Sequence, residues 1–334
     1  MADTAPHRAT MIEVARRAQV SHQTVSRYFS ANEGLKPATR ARIDAAVKEL
    51  NYRPNLVARS MRTRQTGRLA VVVPALTYSP ARMLAGASAA AHAAGFAVDV
   101  LSLEGGTDAR TDRIIDLADS GQVDGIVSFA PASATLESQV SSGTTVVVSG
   151  DFDDEMRGIG ELADASAVAE LVEGLAERGH RRFMHVTGLL QFASARARLQ
   201  VFTETVDRLG LKVVGVSEGD WSAECGVRAM HALNESNRPT AVVAGNDLIA
   251  AGVVRGSLER GWRVPEDLSV TGWDNHAIGA FLFPSLTTVD IDLERLGANA
   301  MKRLIAALRG EVADPDSAPL TRVIWRESTG PHVP

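Results

Sequence analysis

The chain has 334 residues, 45% of them hydrophobic, enough for a small module of about 60 residues plus one or two larger domains with a sizeable core. Its net charge of −5 hides a division: residues 1–66 hold twelve Lys or Arg against five Asp or Glu, a net of +7, and the other 268 residues carry −12. A basic head is the footprint of polyanion binding; the single Cys225 excludes an internal disulfide, and no run approaches the ~18 apolar residues of a membrane span.

Thr10 and Glu13 have the spacing of a capping box, so a helix is predicted from Met11. Ala15 and Ala18 let a second helix approach closely, and Val20 is an apolar plug at the turn. Ser21 then caps a second helix whose buried stripe is Val25 and Phe29, leaving His22, Gln23, Ser26 and Arg27 for another surface. Periodicity alone fits two ordinary helices of an all-α domain just as well. The coincident basic charge favours a helix-turn-helix, which puts its second helix in the major groove of DNA.

A third helix is expected near Pro37, with Ile43, Val47 and Leu50 recurring at i, i+4 and i+7 to pack on the first two. Asn51–Pro54 breaks it. The following NLVARSMRT, 55–63, allows about two turns, too short to be a stable helix alone in water, and is expected to become helical only with a partner.

From Arg68 onward apolar runs alternate with amphipathic segments. Strands are predicted at 69–73, 96–101, 123–129 and 144–148, with helices at 81–94 and 108–120. A second series has strands at 182–187, 212–216, 241–244 and 269–272 and helices at 163–177, 194–209, 223–237 and 247–260. A helix at 293–308 and a last strand at 320–326 must pack on one series or the other. Two βα series imply two parallel sheets covered by helices on both faces, with ligands bound at the strands' carboxyl ends, in a cleft between the sheets.

A helix-turn-helix, NYRPN at 51–55, an Arg-rich linker and a two-lobed body resemble the LacI family of transcriptional repressors from about Thr10 to Ser328. VSHQTVSR at 20–27, ELNYRPNLVARSM at 49–61, RGHRR at 178–182 and SARARLQVF at 194–202 carry the resemblance. EGDWSA at 218–223, GNDLIAAG at 245–252, VTGWDN at 270–275 and SLTTVDID at 285–292 continue it in order. The implied fold is an all-α helix-turn-helix domain (1–52), a hinge (53–66) and an α/β periplasmic-binding-protein-like body of two doubly wound parallel sheets (67–334). Its first lobe is expected over about 67–162 plus 291–319, the second over about 163–290 plus 320–330.

The resemblance makes His22, Gln23 and Arg27 base-reading positions, and Gln suits adenine as Arg suits guanine. Arg27 reads a base or holds a phosphate. Ser21, Thr24, Ser26 and Asn55 are implied phosphate contacts. Met61 stands where the family has a Leu that wedges into the minor groove, and Ala58 keeps two hinge helices close. Lys36 replaces the usual Ser cap of the third helix, a loss of ~1 kcal/mol partly offset by Pro37.

In the cleft the resemblance points to Arg198, Asn246 and Asp274 as partners of a ligand's hydroxyls, with Trp221 as a flat face for a pyranose ring. Trp221 alternatively packs in the core, and Asp274 can also cap a helix. The acidic pocket residue of the first lobe is Asp151 or is missing, Tyr78 and Pro80 line that lobe's side, and Ile291 makes the wall more aliphatic. By the resemblance, SARARL and EGDWSA imply a sugar, a mono- or disaccharide, as effector.

Catalytic chemistry is not expected. No nucleophile, base and oxyanion hole assemble, no G-x-G-x-x-G follows the first strand, and neither His180 and His185 nor the acidic loop at 151–155 has metal-ligand spacing. No cofactor is implied. MADTAPHRAT lacks the apolar core of a signal peptide, so a cytoplasmic protein is expected. Without a heptad-bearing tail before Pro334, a homodimer on double-stranded operator DNA is expected. Two alternatives stay open: a ligand that acts as co-repressor, and a body that is only a solute-binding module.

Overall fold

A computed structural model describes residues 9–30, 35–53, 65–73, 80–103, 105–153 and 157–332. The chain divides into two compact units, 1–66 and 67–334. The first is three helices, α1 Met11–Ala18, α2 His22–Ser30 and α3 Pro37–Glu49. The capping box forms as the spacing requires: the Glu13 amide donates to Thr10 Oγ1 at 3.3 Å, and the Thr10 amide to Glu13 Oε2 at 2.7 Å. Gln19 ends α1 in the left-handed conformation. Val14, Ala15, Ala18, Val25, Ile43, Ala46 and Tyr52 form a buried core, and Val20, Phe29, Val47 and Leu50 pack partly buried around it. Lys36 makes no side-chain cap, and Pro37 opens α3 where its missing N–H is harmless.

The second unit holds two four-stranded parallel sheets. β1 Arg68–Val73, β2 Ala97–Ser102, β3 Gly125–Ser128 and β4 Thr145–Val148 form the first, in the order β2-β1-β3-β4. The second is β5 Arg182–Val186, β6 Lys212–Ser217, β7 Ala241–Ala244 and β8 Ser269–Thr271, in the order β6-β5-β7-β8. The helices between them are α4 Ala81–Ala93, α5 Thr107–Asp119, the short α6 Leu136–Gln139, α7 Ser166–Glu177, α8 Ala193–Arg208, α9 Ala223–His231 and α10 Asp247–Glu259. Each sheet has a separate apolar cluster on either face, so β1 reads as a near-continuous buried run.

Two expectations need correction. The helix expected over 223–237 ends at His231, and a single 3₁₀ turn occupies Glu235–Asn237. Asn234 causes the break, because its Oδ1 accepts the Asn237 amide at 3.1 Å and competes with helical bonding. The last strand joins neither parallel sheet. β10 Thr321–Ile324 pairs antiparallel with β9 Thr288–Ile291, inside a stretch that carried no strand prediction. A single parallel bridge, Thr271 to Thr287, ties this ribbon to β8.

The last helix, α11 Leu293–Arg309, packs on α4 in the first sheet's core through Leu296, Ala300, Met301 and Leu304. Its approach is backbone-close: a Cβ on Gly86 would lie 1.7 Å from Glu294 O, and one on Gly297 1.9 Å from Met83 O. Only glycine fits at either place.

Candidate functional site

The helix-turn-helix presents His22, Gln23 and Arg27 exposed on α2, while Val25 is buried beneath them. Ser21 Oγ accepts the Thr24 amide at 3.1 Å and lies 2.8 Å from Thr24 Oγ1. These two hydroxyls therefore build the turn, and their expected phosphate contacts would have to share them. Thr24 and Ser26 are half-buried. Tyr28 braces the helix through a hydrogen bond to Asp44, which raises the phenol above its usual pKa. Asn55, Ala58 and Met61, expected at the hinge, and Tyr78, expected to line the cleft, lie outside the described residues.

In the body, four of the expected effector residues gather at the carboxyl end of the second sheet. Arg198 is 6% exposed on α8; its Nη1 donates to Gly245 O at 2.6 Å, and its guanidinium lies 4.1 Å from the Trp273 ring centroid and 5.9 Å from that of Trp221. Burial lowers its pKa to about 10, and the Asp274 charge opposes that fall. Asp274 keeps an open surface but is crowded by protein, and this desolvation pushes its carboxyl up to about 6, against the pull of Arg198. Both Asp274 (φ +98°) and Trp221 (φ +67°) adopt left-handed backbone, strain of the kind found where a site over-determines its geometry.

The Trp221 ring is half-buried, with Phe192 edge-on at 5.7 Å. It lies flat against Gly188 at the end of β5, where an added Cβ would come within 2.2 Å of the ring. Trp221 thus does both jobs considered for it: it packs on the second sheet's core and offers a ring beside Arg198. Asn246 is partly committed, because its Oδ1 caps α10 by accepting the Ile249 amide at 2.8 Å. Its Nδ2 makes only a long 3.4 Å contact with Trp221 O.

The first-lobe residues are less clearly assembled. Asp151 accepts a hydrogen bond from the Ser149 hydroxyl, and Pro80 is half-buried at the start of α4. Ile291, expected to open the first lobe's return segment, instead ends β9 and packs on the second sheet's core. Three residues passed over in the sequence support the site. Trp273 underlies Arg198. Asp247, buried at the start of α10, accepts the His276 amide and the Thr288 hydroxyl, both at 2.6 Å, and so pins the turn that carries Asp274. His185 is buried on β5 with Nδ1 2.7 Å from Val243 O, and burial lowers its pKa to about 4, so it stands neutral near Arg198. A signal for Asp247 existed, since Asp follows the N-cap Asn246 directly; the others needed tertiary proximity.

Among the described residues, no group of three or more His, Cys, Asp or Glu could hold a metal ion, and no helix is long and apolar enough to cross a membrane. Residues 10–55 match the family "Bacterial regulatory proteins, lacI family", and residues 172–329 match "Periplasmic binding protein-like domain". The catabolite control protein A of Priestia megaterium is 30% identical over 96% of this chain and 99% of its own. The chain belongs to the LacI family. The lactose operon repressor of Escherichia coli strain K12 is also 30% identical, over 96% of this chain and 90% of its own. Among solved structures, the lac repressor dimer bound to operator and the anti-inducer ONPF superposes with a TM-score of 0.71 at 27% identity, covering 97% of this chain and all of that one. The regulator CelR in complex with cellobiose gives 0.60 at 28% identity, over 96% and 100%.

Proposed function

We propose that this family member is a homodimeric, cytoplasmic repressor that binds a pseudo-palindromic operator and is released by a small sugar held between the lobes. The carrying observation is the buried Arg198, stacked on Trp273 beside the Trp221 ring and electrostatically coupled to Asp274. A directed guanidinium, a carboxylate and a flat ring suit the hydroxyls and apolar face of a pyranose, and no catalytic group is needed. His22, Gln23 and Arg27 read bases, Ser26 and Asn55 hold phosphates, and Met61 wedges the minor groove with Ala58 at the hinge contact. Tyr78, Pro80, Asp151 and Ile291 complete the cleft.

The dimer gives the two-fold symmetry that an operator of two half-sites requires. Ile278, Phe281 and Phe283 supply a face for it: they are 55%, 83% and 95% exposed, an arrangement better explained by a second copy than by water. Effector and operator favour different lobe arrangements, so each weakens the other's binding by the same factor.

A thermal-shift panel of mono- and disaccharides on the full chain tests this reading. At least one sugar should raise the melting temperature of the wild type, and Trp221→Ala should abolish that shift while keeping operator affinity. Uniform silence across the panel, or equal loss of sugar and operator binding in Trp221→Ala, would refute it.

A further inference from the structure

A polar chain runs from the first lobe to the second without using any of the effector contacts. Arg82 is the second residue of α4, which packs on the first sheet through Met83, Ala87 and Ala91. Its Nη1 donates to Asp290 Oδ1 on β9 at 3.0 Å. The same Oδ1 accepts from Asn275 Nδ2 at 3.1 Å. Asn275 follows β8 of the second sheet, and its own Oδ1 accepts from Arg326 Nη2 at 2.8 Å. Its amide donates to Thr288 Oγ1 at 3.2 Å. The chain is continuous from α4 to the turn that presents Asp274.

Two features make this more than a surface ion pair. Asp290 is 8% exposed, so its carboxylate depends on partners to replace lost water. Arg82 is the nearest cation; Arg322 stands 3.6 Å away with its side chain 75% exposed, and Glu294 lies 3.7 Å from Arg82 Nε. Second, Asp274 holds a φ of +98°, beyond the usual left-handed region, and keeps it only because its surroundings impose it, while Asn275 beside it takes the left-handed backbone (φ +48°) that Asn tolerates. Asp290 holds this turn through Asn275, as Asp247 holds it through His276.

We infer that Arg82 is a positioning residue whose ion pair with Asp290 ties helix α4 of the first lobe to the turn bearing Asp274, so that the angle between the lobes and the shape of that turn move together. This deepens the proposed function, and rests on it only in naming Asp274 as an effector contact.

Hydrogen exchange on the full chain, with neither DNA nor sugar present, tests the link, so failure of the duplex or sugar experiments leaves its outcome separate. Arg82→Ala should speed amide exchange across residues 270–292 of the second lobe about three- to fivefold, the scale of a partly exposed ion pair. Asp290→Asn, which also loses the charge facing Arg322, should speed it at least as much, and adding Arg82→Ala to that variant should go no further, because the pair is already gone. Arg82→Lys, which keeps the charge, should exchange near the wild-type rate, and so should Arg322→Ala. If Asp290→Asn does not fold, the comparison of Arg82→Ala with Arg82→Lys decides alone. Faster exchange confined to α4, equal effects of the Ala and Lys variants, or an unchanged 270–292 segment would overturn the link.

Discussion

Gly188→Ala gives a sharp test of the cleft because its effect follows from distances. An alanine Cβ at this position would lie 2.2 Å from the Trp221 ring, and ordinary contact starts near 3.4 Å. The ring must therefore retreat by about 1.2 Å, the difference of those two distances. It cannot do so freely: Phe192 stands edge-on at 5.7 Å, and the Arg198 guanidinium lies 5.9 Å from its centroid. Overpacking of this kind costs about 1–3 kcal/mol of stability. Displacement of a stacking face should cost sugar binding a further ~1–1.5 kcal/mol, roughly five- to tenfold in affinity. Titration calorimetry with the sugar that most stabilises the wild type measures the loss, and chemical denaturation measures the stability. Wild-type sugar affinity in a folded Gly188→Ala protein would refute the placement of Trp221 against the ligand.

Three other outcomes are expected. The Asp274 carboxyl is raised to about 6, so in the free protein its contribution to stability is greatest below pH ~4 and is lost as pH rises through 6. The melting temperature of Asp274→Asn relative to wild type should therefore increase between pH 4 and 7, while wild-type sugar affinity, if the proposed contact uses the carboxylate, falls below pH 6; a flat difference and a flat affinity would contradict both. Gln23→Ala should narrow discrimination between operator and random duplex by ~1–3 kcal/mol in salt-matched filter binding, and equal weakening of both would show that Gln23 holds phosphate. Phe283→Arg should shift sedimentation from dimer to monomer without loss of helical signal, and an intact dimer would move the interface elsewhere.

Local rules were readable wherever local chemistry decides structure. The capping box at Thr10 and Glu13, the Pro37 start and the buried run of β1 formed as their spacing requires. The end of α9 was not, because Asn234 looks like any polar residue of a helix until its side chain takes the Asn237 amide. β9 was hidden because Thr287 to Ile291 alternates weakly and is completed only by a strand about thirty residues on, as fits the context dependence of strands. The same limit applied to the cleft. Arg198, Trp221, Asn246 and Asp274 could be named from motifs, but that Asn246 already spends its oxygen on a cap, or that Trp273 underlies Arg198, appears only in three dimensions.

Thermodynamic reciprocity tests the central claim most directly. The dissociation constant of the selected operator duplex should be measured with and without saturating sugar, and that of the sugar with and without duplex, at one salt concentration. Both ratios should agree, at a value of roughly 5 to 150. Ratios of one, or two ratios that differ beyond error, would show that the basic head and the cleft are not linked in one equilibrium.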